Sequence, residues 1–275
     1  MRVIRHVVHA GPAGRPRVVA AGSFDGVHRG HQRVLAHVVD RARTLGGEAA
    51  VIVAGGSGVP RLTDRRQQLE LLRAAAIDVV AFAPRGSVEE AAVRLGVAVR
   101  VTGRGEGTAS PGALLEEIAP VAVDGEPVTV SAICAVLSCG DLDAARAMLG
   151  RDPGVGGRVV HGFHRGGPLG IPTANLRVRG IQLPPDGVYA VRARVADARL
   201  TGVANIGFNP TFGNQIRTVE THLLDFSGDL YGRRLEIAFR TRLRGERKFP
   251  DVPALLAQVR SDIAAARRFF ERDGG

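Results

Sequence analysis

The chain has 275 residues, enough for two domains of ordinary size, and its 45% hydrophobic content suffices for a core in each. Its formal charge of +10 is carried by arginines spread along the whole length, Lys248 being the sole lysine, and with aromatics at 4% and no tryptophan there is little for bases to stack on, so no nucleic-acid partner is expected. The charged start Met1-Arg2-Val3-Ile4-Arg5-His6 and the lack of any apolar run of ~18–20 residues set aside secretion and a membrane, while Cys134 and Cys139 alone support neither a disulfide framework nor a zinc site, so a cytoplasmic enzyme or binding protein is expected.

The first half alternates strand and helix. Arg17–Gly22 reads as a strand ending in a glycine loop, and Gly30–Leu45 as a helix with Val34, Leu35, Val38, Val39, Ala42 and Leu45 on one face, stopped by Gly46-Gly47. Glu48–Ala54 is the next strand, Thr63–Ala76 a helix capped by Thr63, and Ile77–Ala83 a third strand. Ser87 and Glu90 form an S-x-x-E capping box for a helix to Leu95, and Val97–Thr102 is a fourth strand. This alternation predicts a parallel sheet with helices on both faces, a Rossmann-like α/β domain over residues 1–150. A short helix, Asp141–Leu149, closes it, and Gly150–Gly157 reads as the linker.

Beyond the linker, over residues 151–275, the period becomes two. Tyr189, Val191, Ala193 and Val195 alternate with Arg192 and Arg194, and Leu235, Ile237, Phe239 and Leu243 alternate with Arg234, Glu236, Arg240 and Arg242. Turn signals at Pro184-Pro185-Asp186-Gly187, Asn209-Pro210 and Ser227-Gly228-Asp229 separate such runs, which predicts a small closed antiparallel barrel. A final helix capped by Asp251 sets Leu255, Leu256, Val259, Ile263, Ala266 and Phe270 on the face against it.

The chemistry-bearing residues cluster in this half. Gly154, Gly156, Gly157, Gly162, Gly166, Gly167 and Gly170 would let backbone amides approach phosphate oxygens, and glycines equally mark plain hairpin turns. Pro172-Thr173-Ala174-Asn175 then offers a rigid turn, a hydroxyl suited to magnesium and an amide suited to phosphate or the water shell of the metal; an ordinary strand entry fits it too. Glu220 and His222 share one face of a strand, Val219 and Thr221 the other, and Glu220 reads either as a surface carboxylate or as a base for an attacking hydroxyl. A Walker lysine is excluded, since no GxxxxGK[ST] surrounds Lys248.

From Gly157 to Phe270 the sequence resembles the riboflavin kinase module of bacterial FAD synthases. The matches are Gly157-Arg158-Val159-Val160-His161-Gly162, Leu169 to Leu176, Gly187-Val188-Tyr189, Ala204-Asn205-Ile206-Gly207, Asn209-Pro210-Thr211-Phe212, Val219-Glu220, Leu224-Asp225-Phe226, Leu230-Tyr231-Gly232 and Leu243-Arg244 to Lys248-Phe249. The resemblance implies a six-stranded barrel with a terminal helix, and a kinase that makes FMN from riboflavin with ATP and Mg2+. It implies Glu220 as the base, Gly157, Gly162, Gly170, Pro172, Thr173 and Asn175 around the ATP phosphates, Thr173 also on the metal, and Asn205, Arg244 and Phe249 at the flavin. Gly167 departs from the arginine common in bacterial members.

In the first half, Gly22-Ser23-Phe24-Asp25-Gly26-Val27-His28-Arg29-Gly30-His31 matches the HxGH signature of nucleotidyltransferases, so Phe24, Asp25, His28 and His31 mark a residual site that would adenylylate FMN to FAD. The rest of that pattern is eroded. Gly55-Gly56-Ser57-Gly58 replaces a Phe-x-Pro-His-Pro stretch, Thr102 to Gly107 replaces a flavin loop, and Ser131-Ala132-Ile133-Cys134-Ala135 lacks the arginine of a Ser-Ser-Thr-x-Ile-Arg motif. The expectation is a riboflavin kinase with weak or absent FAD formation; a bifunctional FAD synthase and a non-catalytic flavin-binding regulator are the alternatives.

Overall fold

The computed structural model describes residues 1–6, 14–55, 60–84, 86–104, 110, 112–161, 171–211 and 214–274. The chain forms two compact units, one of Met1–Ile133 with Ala147–Gly150 and one of Cys134–Arg146 with Arg151–Gly275.

In the first unit, strands β1 (Arg2–Ile4), β2 (Arg17–Gly22), β3 (Glu48–Ala54), β4 (Val79–Ala83), β5 (Val97–Gly103) and β6 (Leu114–Ile118) make a parallel sheet in the order β1-β4-β3-β2-β5-β6. Helices α1 (Arg29–Thr44), α2 (Arg65–Ala74) and α3 (Val88–Leu95) cover it. Side-chain alternation along the strands feeds two cores. Val18, Ala20, Val51 and Val53 pack with Leu35, Val38 and Leu72 of α1 and α2, whereas Val19, Ala50 and Ile52 pack with Ala91, Ala92 and Leu95 of α3. A small hairpin, β7 (Ala122–Val123) with β8 (Glu126–Pro127), follows. Helices α4 (Val130–Cys139) and α5 (Leu142–Leu149) are each divided between the two units.

Several expected boundaries move, for identifiable reasons. Helix α2 is capped by Asp64, whose Oδ1 accepts from the Gln67 amide at 2.7 Å, because the Thr63 hydroxyl is spent donating to Asp25 and accepting from the Gly26 amide. The Ser87 capping box does not form: Ser87 makes no side-chain cap bond, and Glu90 is drawn into an i,i+4 pair with Arg94 at 3.0 Å. The strand expected from Ile77 starts at Val79, after a left-handed Ala76.

In the second unit, β9 (Gly154–Val160), β10 (Ala174–Arg177), β11 (Gly187–Val195), β12 (Ala198–Thr211), β13 (Asn214–Leu223) and β14 (Arg234–Arg244) close an antiparallel barrel in the order β10-β13-β12-β11-β14-β9. The expected linker therefore overlaps a strand from Gly154, and the expected Asn209-Pro210 turn lies within β12. Tyr189, Val191, Leu235, Ile237 and Phe239 fill the interior, with the Tyr189 and Phe239 rings edge-on at 5.4 Å. Helix α6 (Val252–Arg272), capped by Asp251 at the Ala254 amide, lays Ile263, Ala266, Phe269 and Phe270 on Val188, Ala190, Val203 and Leu224 outside the barrel. That helix explains why the first half of β11, Gly187–Val191, is buried on both faces, whereas farther along Arg192 is half-buried and Arg194 exposed.

Candidate active site

Strand register gathers four of the sequence-derived residues. Asn175 on β10 stands opposite Glu220 on β13, Glu220 opposite Asn205 on β12, and the row continues through Val188 on β11 to Arg244 at the end of β14. Directly opposed residues of antiparallel strands share a face, with Cβ atoms about 4.5–5.5 Å apart. Val188 packs under α6, so this is the outer face of the barrel, and the Glu220 carboxylate has an amide side chain as its cross-strand neighbour on either side. Val219 and Thr221 are buried while Glu220 and His222 are half-buried, the division that alternation predicts.

Thr173 immediately precedes β10 and is two residues from Asn175. The turn before it is tied to β13, because the Pro172 carbonyl lies 2.8 Å from His222 Nδ1. A carbonyl only accepts, so Nδ1 of His222 carries the proton and donates it.

Gly157 lies on β9 opposite Leu235, and a Cβ there would come within 2.7 Å of the Arg177 carbonyl oxygen. Close approach of β9 to β10 thus accounts for this glycine irrespective of any ligand. Gly162, Gly167 and Gly170 lie outside the described residues.

Arg244 is held by α6. Its Nε and Nη2 donate to the Asp262 carboxylate at 2.9–3.1 Å, Gln258 Nε2 donates to the same carboxylate at 2.8 Å, and Arg247 Nη1 donates to Gln258 Oε1 at 3.0 Å. The Arg244 guanidinium carbon lies 5.7 Å from the centre of the Phe249 ring. Glu246 reaches back beside the row: a methyl on Gly207 would stand 2.7 Å from its Oε1 and 3.6 Å from Asn205 Nδ2. His222, Glu246 and Asp262 were not singled out from sequence. His222 was findable as the same-face neighbour of Glu220; Asp262 lies in an ordinary helical run that carries no such signal.

In the first unit the glycine loop after β2 is bent by left-handed Phe24, Gly26 and Val27. Asp25 is buried and acts as a latch: its carboxylate accepts from the Leu62 amide at 2.8 Å and from the Thr63 amide and hydroxyl, both at 3.0 Å. His28 is the N-cap of α1, its Nδ1 accepting from the His31 amide at 3.3 Å, and the two imidazoles stack at 3.7 Å with Phe24 tilted against His31. Burial, and then the neighbouring His28, hold the His31 pKa well below 6.5, so this imidazole is neutral near pH 7. A methyl on Gly30 would meet the His28 ring and the Val128 carbonyl, which brings the segment leading into α4 against the start of α1. At that helix start Thr129 Oγ1 accepts from the Ala132 amide at 3.1 Å, and Ser131 is exposed. Residues 56–59 and 105–109, where two of the eroded motifs fall, lie outside the described residues.

A parallel α/β unit with an HxGH helix start and a closed antiparallel barrel together match a class of two-domain transferases. The riboflavin kinase family model matches residues 149–270 and the FAD synthetase model residues 12–86. A bifunctional riboflavin kinase/FMN adenylyltransferase of Pseudomonas fluorescens is 34% identical over 97% of both chains, and the protein of the same description from Haemophilus influenzae is 30% identical over 98% of this chain and 99% of its own. The chain belongs to this bifunctional riboflavin kinase/FMN adenylyltransferase family. It also shares its fold with a crystal structure described as a macrolide-efflux protein from Streptococcus pneumoniae, with a TM-score of 0.83 and 23% identity over 96% of this chain and 98% of that one. Among the described residues, no helix is long and apolar enough to cross a membrane, and no cluster of three or more His, Cys, Asp or Glu side chains is arranged to hold a metal.

Proposed function

We propose that the barrel transfers the γ-phosphoryl group of ATP to the 5'-hydroxyl of riboflavin, releasing FMN and ADP. The observation that carries this reading is the row Asn175, Glu220, Asn205 on three adjacent strands, which sets one carboxylate between neutral amides beside the Pro172-Thr173 turn. Glu220 takes the hydroxyl proton as the ribityl oxygen bonds to the γ-phosphorus; the bond from that phosphorus to the β,γ-bridging oxygen breaks, and its electrons leave with ADP. Thr173 and Asn175 supply hard oxygen donors. One or two such protein ligands suit Mg2+, which keeps most of its shell as water and phosphate and, when bound, neutralises charge on the transferring group. Asn205, Arg244 and Phe249 form the flavin side in this reading, with Pro172, Gly157, Gly162 and Gly170 on the phosphate side. The cytoplasm suits these substrates and keeps Cys134 and Cys139, which form no disulfide, reduced.

A second activity, adenylylation of FMN to FAD, is favoured by the preserved His28 and His31 at the α1 start. It is weak in this reading, because the first turns of α4 bring no arginine to that helix start and the FAD synthetase match ends at residue 86, before the two downstream eroded segments. The test is a chromatographic time course with riboflavin and MgATP that resolves FMN from FAD. FMN is expected to accumulate with little FAD, and Glu220→Gln to lower kcat by about 10²–10⁴ while riboflavin still binds. Efficient FAD formation refutes the weak second step; undiminished turnover by Glu220→Gln refutes the base.

A further inference from the structure

We infer that His222 is a positioning residue for the nucleotide side of the kinase site, acting through the Pro172 carbonyl. The inference rests on the proposed kinase reading. His222 follows Glu220 by two residues on β13, so both project from the same outer face. Ala174 is opposite Thr221, and Asn175 opposite Glu220, so the pairing of β10 with β13 stops one residue short of Thr173 and His222. At the point where the backbone ladder ends, the His222 Nδ1–H bond to the Pro172 oxygen, 2.8 Å long, takes over. Proline lacks an N–H and cannot extend the ladder through its own nitrogen, so this side-chain bond holds the turn that carries Thr173. Without it Thr173 keeps its sequence position beside Asn175 but loses the tether that fixes its hydroxyl relative to the Glu220 row.

Two properties separate this role from a general structural one. It is directional, needing a donor at the Nδ1 position, and it acts on nucleotide rather than flavin. Asparagine places its amide N–H near the position of imidazole Nδ1–H, glutamine places one farther out, and alanine has none. In steady-state assays of FMN formation by the full chain, His222→Ala and His222→Gln are expected to raise KM for MgATP about five- to tenfold, the loss of one net hydrogen bond, with KM for riboflavin changed less than about twofold. His222→Asn is expected to restore KM for MgATP to within about twofold of the wild type. The inference is overturned if Asn behaves like Ala, or if KM for riboflavin rises in parallel with that for MgATP. Failure of the wild-type chain to form FMN would instead overturn the kinase reading, and the inference with it.

Discussion

Asp262 ties Arg244 to α6, and its loss should be felt in the stability of the barrel. Its side chain is 6% exposed and that of Arg244 17%, and three Arg244–Asp262 contacts of 2.9–3.1 Å plus the Gln258 bond converge on one carboxylate. Removing one partner of a buried ion pair costs about 3–5 kcal/mol because the other charge stays behind undersolvated; the residual exposure of Arg244 lowers this to ~2–3 kcal/mol for Asp262→Ala. At roughly 2–4 °C per kcal/mol, that lowers the melting temperature by about 5–10 °C. The chain offers a selective reporter. It has two tyrosines and no tryptophan, and Tyr189 and Tyr231 both lie in the barrel unit, so tyrosine fluorescence follows that unit alone. Arg244→Ala combined with Asp262→Ala removes both charges together, and the double variant is expected to melt within about 2 °C of Asp262→Ala. A double variant whose loss equals the sum of the two single losses would show that the residues do not act as a pair.

Gly157→Ala forces a methyl to 2.7 Å from the Arg177 carbonyl, so β9 and β10 must part slightly; a loss of about 1–3 kcal/mol is expected in denaturant melts read by tyrosine fluorescence. An unchanged midpoint would refute the close-approach account of this glycine. His31 predicts a pH dependence. Its folded pKa lies below the unfolded 6.5, so the unfolded chain binds the proton more readily, and the first unit should lose stability as pH falls below about 6.5. Circular dichroism melts of the wild type and of His31→Gln at pH 7.5 and 5.5 check this, the variant being expected to show the smaller loss.

Much of the fold was legible because its periods are simple. The run from Tyr189 to Val195 announces a strand, and the strand and helix alternation up to Thr102 announces the parallel sheet, since both patterns are local. What was missed depends on distant partners. Thr63 has every property of an N-cap, yet Asp25, far back in the chain, claims its hydroxyl. Glu90 stands at the right offset from Ser87, yet Arg94 draws it away. Gly154, Gly156 and Gly157 read as linker because local sequence cannot show that β9 must close a barrel against β10 and β14. Glu220 was legible as a face neighbour of His222, but that Asn175 and Asn205 flank it follows only from register. Strand β1, three residues long, is too short for any period to reveal.

The same register limits how this chain can change over time. Glu220 faces outward between Asn175 and Asn205 only while the count of residues along β13 is kept, because a shift of one position turns each later side chain through the wall of the barrel. A single-codon insertion or deletion between Asn214 and Glu220 would point the carboxylate into the packed interior and bring Val219 or Thr221 to the surface, even with every site residue still present. Substitutions can therefore accumulate around the row one at a time, whereas length changes in this strand face a parity rule, tolerable in twos and ruinous singly. Drift in the barrel should be recorded as replaced letters and lengthened surface turns, with the spacing inside β13 left alone.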